Sequence, residues 1–155
     1  MLEETVGKLL MEKQLTIACA ESCTGGLLTS CLTDVEGSSA YVMGSVVSYT
    51  NEVKESLVGV KHETLVTHGA VSEATAREMA EGIRHVIGTA LGVGITSIAG
   101  PGGGTETKPV GLVYIAVAGD KGTTVKKNIF HGSRMENKRS SVEKALEMLH
   151  AYLDQ

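Results

Sequence analysis

The pattern of apolar and polar positions divides the chain into interleaved helices and strands. Leu2, Val6, Leu9 and Leu10 recur at helical spacing, which predicts an amphipathic helix from Leu2 to Lys13. Leu15 to Ala20 reads as a short buried strand. After Gly25 and Gly26 a second helix is predicted over Leu27 to Val35, with Ser22 or Thr24 available to cap it. Ser45 to Tyr49 is strand-like; Thr50 opens a short helix to about Val58, and Gly59 stops it. A helical turn follows through His62 to Thr67. Gly69 breaks it, and Ser72 caps a long helix from Glu73 to about Thr89 whose apolar stripe is Ala76, Met79, Ala80, Ile83 and Ile87. Gly94 to Ala99 is apolar enough for a central strand. Val110 to Ala118 and Thr123 to Phe130 form a hairpin around Asp120, Lys121 and Gly122, and Met135 to Leu153 closes the chain as a helix. This order predicts an α/β fold, a mixed sheet with helices on both faces, in one domain spanning residues 1–155.

Composition narrows the classes of function. Apolar residues make up 42% and charged residues 21%, the balance of a globular protein with an ordinary core. With no Trp and one Phe, that core is aliphatic, and the aromatic platform of a single-strand nucleic-acid binder is missing. A net charge of −4 with no basic run argues against direct nucleic-acid binding. The first residues do not read as a secretory signal and no apolar stretch reaches membrane-spanning length, so a cytoplasmic protein without a membrane partner is expected. Cys19, Cys23 and Cys31 are odd in number and lack paired CxxC spacing, which fits reduced thiols rather than disulfides or structural zinc.

Three segments carry residue types suited to chemistry. In open α/β sheets, ligands bind beyond the carboxyl ends of strands. Glu21-Ser22-Cys23-Thr24-Gly25-Gly26 lies at such a strand end, where a following helix would aim backbone N–H groups at an oxyanion or phosphate. Local sequence alone favours a helix cap for Ser22 or Thr24 over a nucleophile. The second segment, Tyr49-Thr50-Asn51-Glu52-Val53-Lys54, supplies a lysine able to act as a base if burial keeps it neutral, and a solvated lysine otherwise. The third, Gly100-Pro101-Gly102-Gly103-Gly104-Thr105-Glu106-Thr107-Lys108, is glycine-rich and can cradle phosphate, yet it is neither a Walker A loop nor GxGxxG opening a helix. Ser141 and Lys144 fit SxxK, but Ser141 is expected on the solvated face of the last helix. No histidine has metal spacing, and no metal or organic cofactor is expected.

Read in register, ACAESCTGG at 18–26, SYTNEVK at 48–54, HGAVSE at 68–73, AGPGGGTETKPVG at 99–111 and HGSR at 131–134 resemble the CinA C-terminal domain family over essentially the whole chain. The family is similar to bacterial nicotinamide mononucleotide deamidases, and the chain looks like their stand-alone form. The resemblance implies a three-layer α/β/α fold, Ser22 as nucleophile and Lys54 as its assisting base. It places Tyr49, Asn51 and Arg134 in the active-site segments and implies a homo-oligomer, commonly a dimer. Thr105-Glu106-Thr107-Lys108 departs from the Thr-Pro-Glu-Lys common there. The expected substrate contacts are Glu21, Cys23, Thr24, Gly25, Gly26 and Asn51, with Gly100, Gly102, Gly103, Gly104, Thr105, Lys108 and Arg134 towards a 5′-phosphate. Two other readings stay open at this point: a non-catalytic nucleotide-binding or competence-related accessory domain, and a hydrolase of another small amide.

Overall fold

Large and small apolar residues alternate along the central strands, and this alternation decides how the layers stack. A computed structural model describes residues 1–155. In β1 (Ile17–Glu21), β3 (Leu91–Ser97) and β4 (Leu112–Gly119) the large side chains Ile17, Leu91, Val93, Ile95, Val113, Ile115 and Val117 join one core of 20 buried residues. That core is closed by α1 (Leu2–Lys13), α2 (Leu27–Thr33) and α6 (Arg134–Leu153). The opposite face carries Ala18, Ala20, Gly92, Gly94, Ala116 and Ala118, and packs on α3 (Asn51–Val58), α4 (His62–His68) and α5 (Glu73–Ile87). A Cβ on Gly94 would sit 2.5 Å from the Ala76 carbonyl oxygen, so α5 rides directly on the β3 backbone.

The sheet order is β2-β1-β3-β4-β5, where β2 is Val42–Val47 and β5 is Gly122–Ile129. β1 pairs in parallel with both β2 and β3, while β4 and β5 pair antiparallel, giving the mixed three-layer α/β/α architecture that the sequence predicts. Most boundaries fall within two residues of expectation. β2 and β3 each begin three residues earlier than expected. Gly92 and Gly94 are weak strand formers by composition, and only the closeness of α5 explains them. A short 3-10 turn at Ser38–Ala40, not anticipated, leads into β2, whose Val42 pairs with Ile17.

Because the chain leaves β1 for β2 on one side and later returns to β3 on the other, the strand order reverses at β1. The connections therefore diverge at its carboxyl end, which opens a crevice there. Ser22 is the first residue beyond that end.

Candidate active site

Glu21, the last residue of β1, organises the turn that follows. Its side chain is fully buried, and each carboxylate oxygen accepts two hydrogen bonds: Oε1 from Thr24 Oγ1 (2.7 Å) and Leu28 N (2.9 Å), Oε2 from Thr29 N (2.9 Å) and Thr29 Oγ1 (2.6 Å). A carboxylate at a helix start satisfies orphan N–H groups and complements the macrodipole. Two expectations are thereby corrected. Neither Ser22 nor Thr24 caps α2, whose N-cap is Gly26, and the first amides of α2 are taken by Glu21 rather than aimed at a ligand. Glu21 itself, expected among the substrate contacts, is consumed by the protein, and Thr24 Oγ1 spends its proton on it.

The turn is drawn tight by Gly25 N donating to Ser22 O at 3.0 Å, with Gly25 and Gly26 at φ of 63° and 99°. The N–H groups of Cys23, Thr24 and Gly26 have no intramolecular acceptor. Glu21→Gln places an NH2 group against two donors, which costs about 2 kcal/mol or more for buried groups left unpaired. The expected result is a lower melting temperature. A variant that unfolds at the same temperature as the parent would remove Glu21 from this role.

Lys54 is brought to Ser22 by α3. Thr50 Oγ1 accepts from Val53 N at 3.2 Å and Gly59 ends the helix in the left-handed region, both as predicted, and the helix buries Lys54 to 1% exposure. Its Nζ lies 3.3 Å from Ser22 Oγ, 2.9 Å from Ser48 O and 3.4 Å from Tyr49 O. Ser48 is itself fixed to β1, because its N–H donates to Glu21 O at 2.7 Å and its hydroxyl to the same oxygen at 3.2 Å. Burial holds the Lys54 amine below its ordinary pKa of 10.5, with the neighbouring Cys23 acting in the opposite direction. A neutral amine has two hydrogens and one lone pair. As an ammonium, Nζ donates to Ser22 Oγ as well as to the two carbonyls; once neutral, with its two hydrogens on the carbonyls, it has its lone pair left for the Ser22 hydroxyl proton.

The glycine-rich segment closes the third side. Cys23 Sγ donates to Ser97 O at 2.8 Å, joining the Ser22 turn to the end of β3. Arg134 donates from one terminal nitrogen to Gly100 O at 2.8 Å and from the other to Tyr49 OH at 3.4 Å. Tyr49 lies outside β2 and is 58% exposed, so it does not end a buried strand. All three segments therefore meet, and the HGSR segment joins them. Ser133 starts α6 through a capping box with Glu136.

Asn137, which sequence reasoning missed, is buried and fastens this helix start to the loop: its Nδ2 donates to Ala99 O at 3.0 Å and its Oδ1 accepts from Gly132 N at 3.0 Å. One signal was available, a polar residue four positions before Ser141 on the inward stripe of α6. Ser141 is buried with its hydroxyl on Asn137 O at 2.7 Å, which corrects its expected placement on a solvated face.

Other expected contacts are engaged within the protein or open to solvent. Lys108 Nζ donates to His68 O at 2.6 Å and lines a separate cleft of about 500 Å³ with Ser72, Arg77 and Tyr114. Thr105 Oγ1 accepts from Lys108 N at 3.0 Å, turning the loop back on itself. At Gly100 and Gly104 a Cβ would collide with Val110, so these glycines answer to the loop's own packing. Gly102 and Gly103 lie in the exposed part of the same loop, and Asn51 opens α3 exposed to solvent. No helix is long and apolar enough to cross a membrane.

Comparison with known proteins identifies the family and the fold. The profile described as the CinA C-terminal domain matches residues 1–153. A protein of Acetivibrio thermocellus named as a putative competence-damage inducible protein is 48% identical over 152 residues, covering 98% of this chain and 37% of that protein. A protein of Clostridioides difficile with the same name is 49% identical over 153 residues, covering 99% of this chain and 37% of its own length. The chain thus spans little more than a third of these curated relatives. Among solved structures, competence/damage inducible protein CihA from Agrobacterium tumefaciens superposes with a TM-score of 0.92 at 40% identity, over 100% of this chain and 97% of that one. Competence damage-inducible protein A (ComA) from Klebsiella pneumoniae superposes with a TM-score of 0.96 at 32% identity, over 99% and 96%. By profile, sequence and structure alike, the chain belongs to the CinA C-terminal domain family.

Proposed function

We propose that the chain is an amidohydrolase that converts nicotinamide mononucleotide to nicotinate mononucleotide and ammonia through a serine nucleophile and a lysine base. The observation that carries the reading is the 3.3 Å contact between Lys54 Nζ and Ser22 Oγ, with burial favouring the neutral amine. Lys54 takes the hydroxyl proton as Ser22 Oγ bonds to the carboxamide carbon, and the carbonyl oxygen becomes an oxyanion. The unpaired N–H groups of Cys23, Thr24 and Gly26 are the donors nearest in sequence to that centre, each worth about 3 kcal/mol when well aimed. Collapse of the intermediate breaks the carbon–nitrogen bond, and the Lys54 ammonium passes its proton to the leaving nitrogen, releasing ammonia. Lys54 then removes a proton from water, which attacks the ester; return of the proton to Ser22 Oγ frees the carboxylic acid. Every step uses side chains and backbone of this chain, with no added cofactor. Tyr49 holds Arg134 at the mouth of the site. The same reading carries a cytoplasmic homo-oligomer.

Ammonia release is to be measured with purified protein on a panel of nucleotide and free amides. Release from nicotinamide mononucleotide, with little from the others, is the expected result. Release only from a different amide would move the substrate and keep the mechanism, and binding without release would make the domain a nucleotide sensor.

A further inference from the structure

Two cations of α6 flank the Ser22 turn, and one of them has no protein partner. Lys138 is half-buried and engages in no hydrogen bond or ion pair. Its Nζ lies 3.9 Å from where a Cβ on Gly25 would stand, at the lip of the turn that carries Ser22. One helical turn earlier, Arg134 reaches Gly100 O and Tyr49 OH. These bonds use two of the five N–H donors of a guanidinium, so the rest are open to a ligand.

The placement is electrostatically unfavourable in the free protein. Like charges four residues apart on a helix repel, and positive charge in the first turn, where Arg134 stands, opposes the macrodipole. Neither nearby acid pairs with these cations: Glu136 is hydrogen-bonded in the Ser133 cap, and Glu21 is buried with four donors of its own. A protein of net charge −4 that keeps two cations here gains most when an anion bridges them.

We propose that Lys138 and Arg134 form the clamp for the phosphomonoester of the substrate, with the phosphate held across the mouth between Gly25 and Gly100. This rests on the nucleotide-amidase reading and deepens it. Lys138 thereby takes the part expected of Lys108, whose amine is held by the His68 carbonyl instead.

The test compares the parent with Lys138→Met, Lys138→Arg and, as a control on the same helix, Lys144→Met, whose lysine pairs with Glu147. Calorimetry with ribose 5-phosphate and with ribose reads the clamp directly. Steady-state ammonia release from nicotinamide mononucleotide and from nicotinamide riboside reads it in turnover. Lys138→Met is expected to weaken ribose 5-phosphate binding and to raise KM for the nucleotide by about 10- to 100-fold, the range of a hydrogen bond to a charged group. It leaves kcat/KM for the riboside unchanged, and Lys138→Arg and Lys144→Met retain nucleotide affinity. Equal losses on nucleotide and riboside, or no loss on the nucleotide, would overturn the proposal. If no ammonia is released from the nucleotide, the amidase reading fails; a Lys138-dependent preference for ribose 5-phosphate over ribose would still uphold the clamp, and its absence would overturn it.

Discussion

Ser22→Ala is expected to abolish ammonia release, lowering kcat by about 10⁴- to 10⁶-fold, the scale seen when a nucleophile that works as a unit with its base is removed. Ser22 is 5% exposed, and its hydroxyl serves Lys54 Nζ, which keeps its two carbonyl acceptors in the variant. The substitution opens no cavity larger than one oxygen, so the melting temperature should stay close to that of the parent. Lost activity with an unchanged fold separates chemistry from stability. Cys23 provides the internal control, because its sulfur stands beside Ser22 and donates to Ser97 O. If Ser22→Ala kept its rate and alkylation of Cys23 removed it, the nucleophile would be the thiolate. The geometry here favours the opposite result, since Lys54 Nζ is bonded to the hydroxyl and the thiol proton is directed to a carbonyl.

Lys54→Met is expected to lower kcat by about 10²- to 10⁴-fold, the contribution of a positioned general base. In the parent, kcat/KM rises with pH as Lys54 loses its proton, and burial sets that limb below the ordinary 10.5. The variant lacks the limb. Stability supplies an independent reading of the same group. The folded state holds Lys54 at a depressed pKa, so the unfolded chain binds more protons between the folded value and 10.5, and unfolding free energy increases with pH across that window. The contribution is fully present above 10.5 and is lost as pH falls through the folded value. Denaturant titrations at a series of pH values should show this slope in the parent and its loss in Lys54→Met. Identical slopes in the two proteins would mean that Lys54 is not the depressed amine.

Local signals made most of the fold legible. The caps at Thr50 and Ser72 and the stop at Gly59 act through neighbours in the chain, and the structure has each of them where short-range chemistry puts it. Glu21 shows where that reasoning stops. From sequence it stands beside a serine and two glycines as a plausible ligand contact, yet its carboxylate is spent on Leu28 and Thr29, residues on the far side of the turn. Gly92 and Gly94 weaken the strand signal, because the helix that requires them approaches from another part of the chain.

Periodicity, caps and turn residues are local properties, and they were enough to set the α/β class, the order of the elements and the three segments that hold Ser22, Lys54 and Gly100. Tertiary structure alone decided that Lys54 Nζ reaches Ser22 Oγ, that Lys108 turns away to His68 and that Lys138 stands beside Gly25. Those outcomes depend on contacts between residues 32, 40 and 113 positions apart in the chain, whose distances are set by how the helices stack on the sheet.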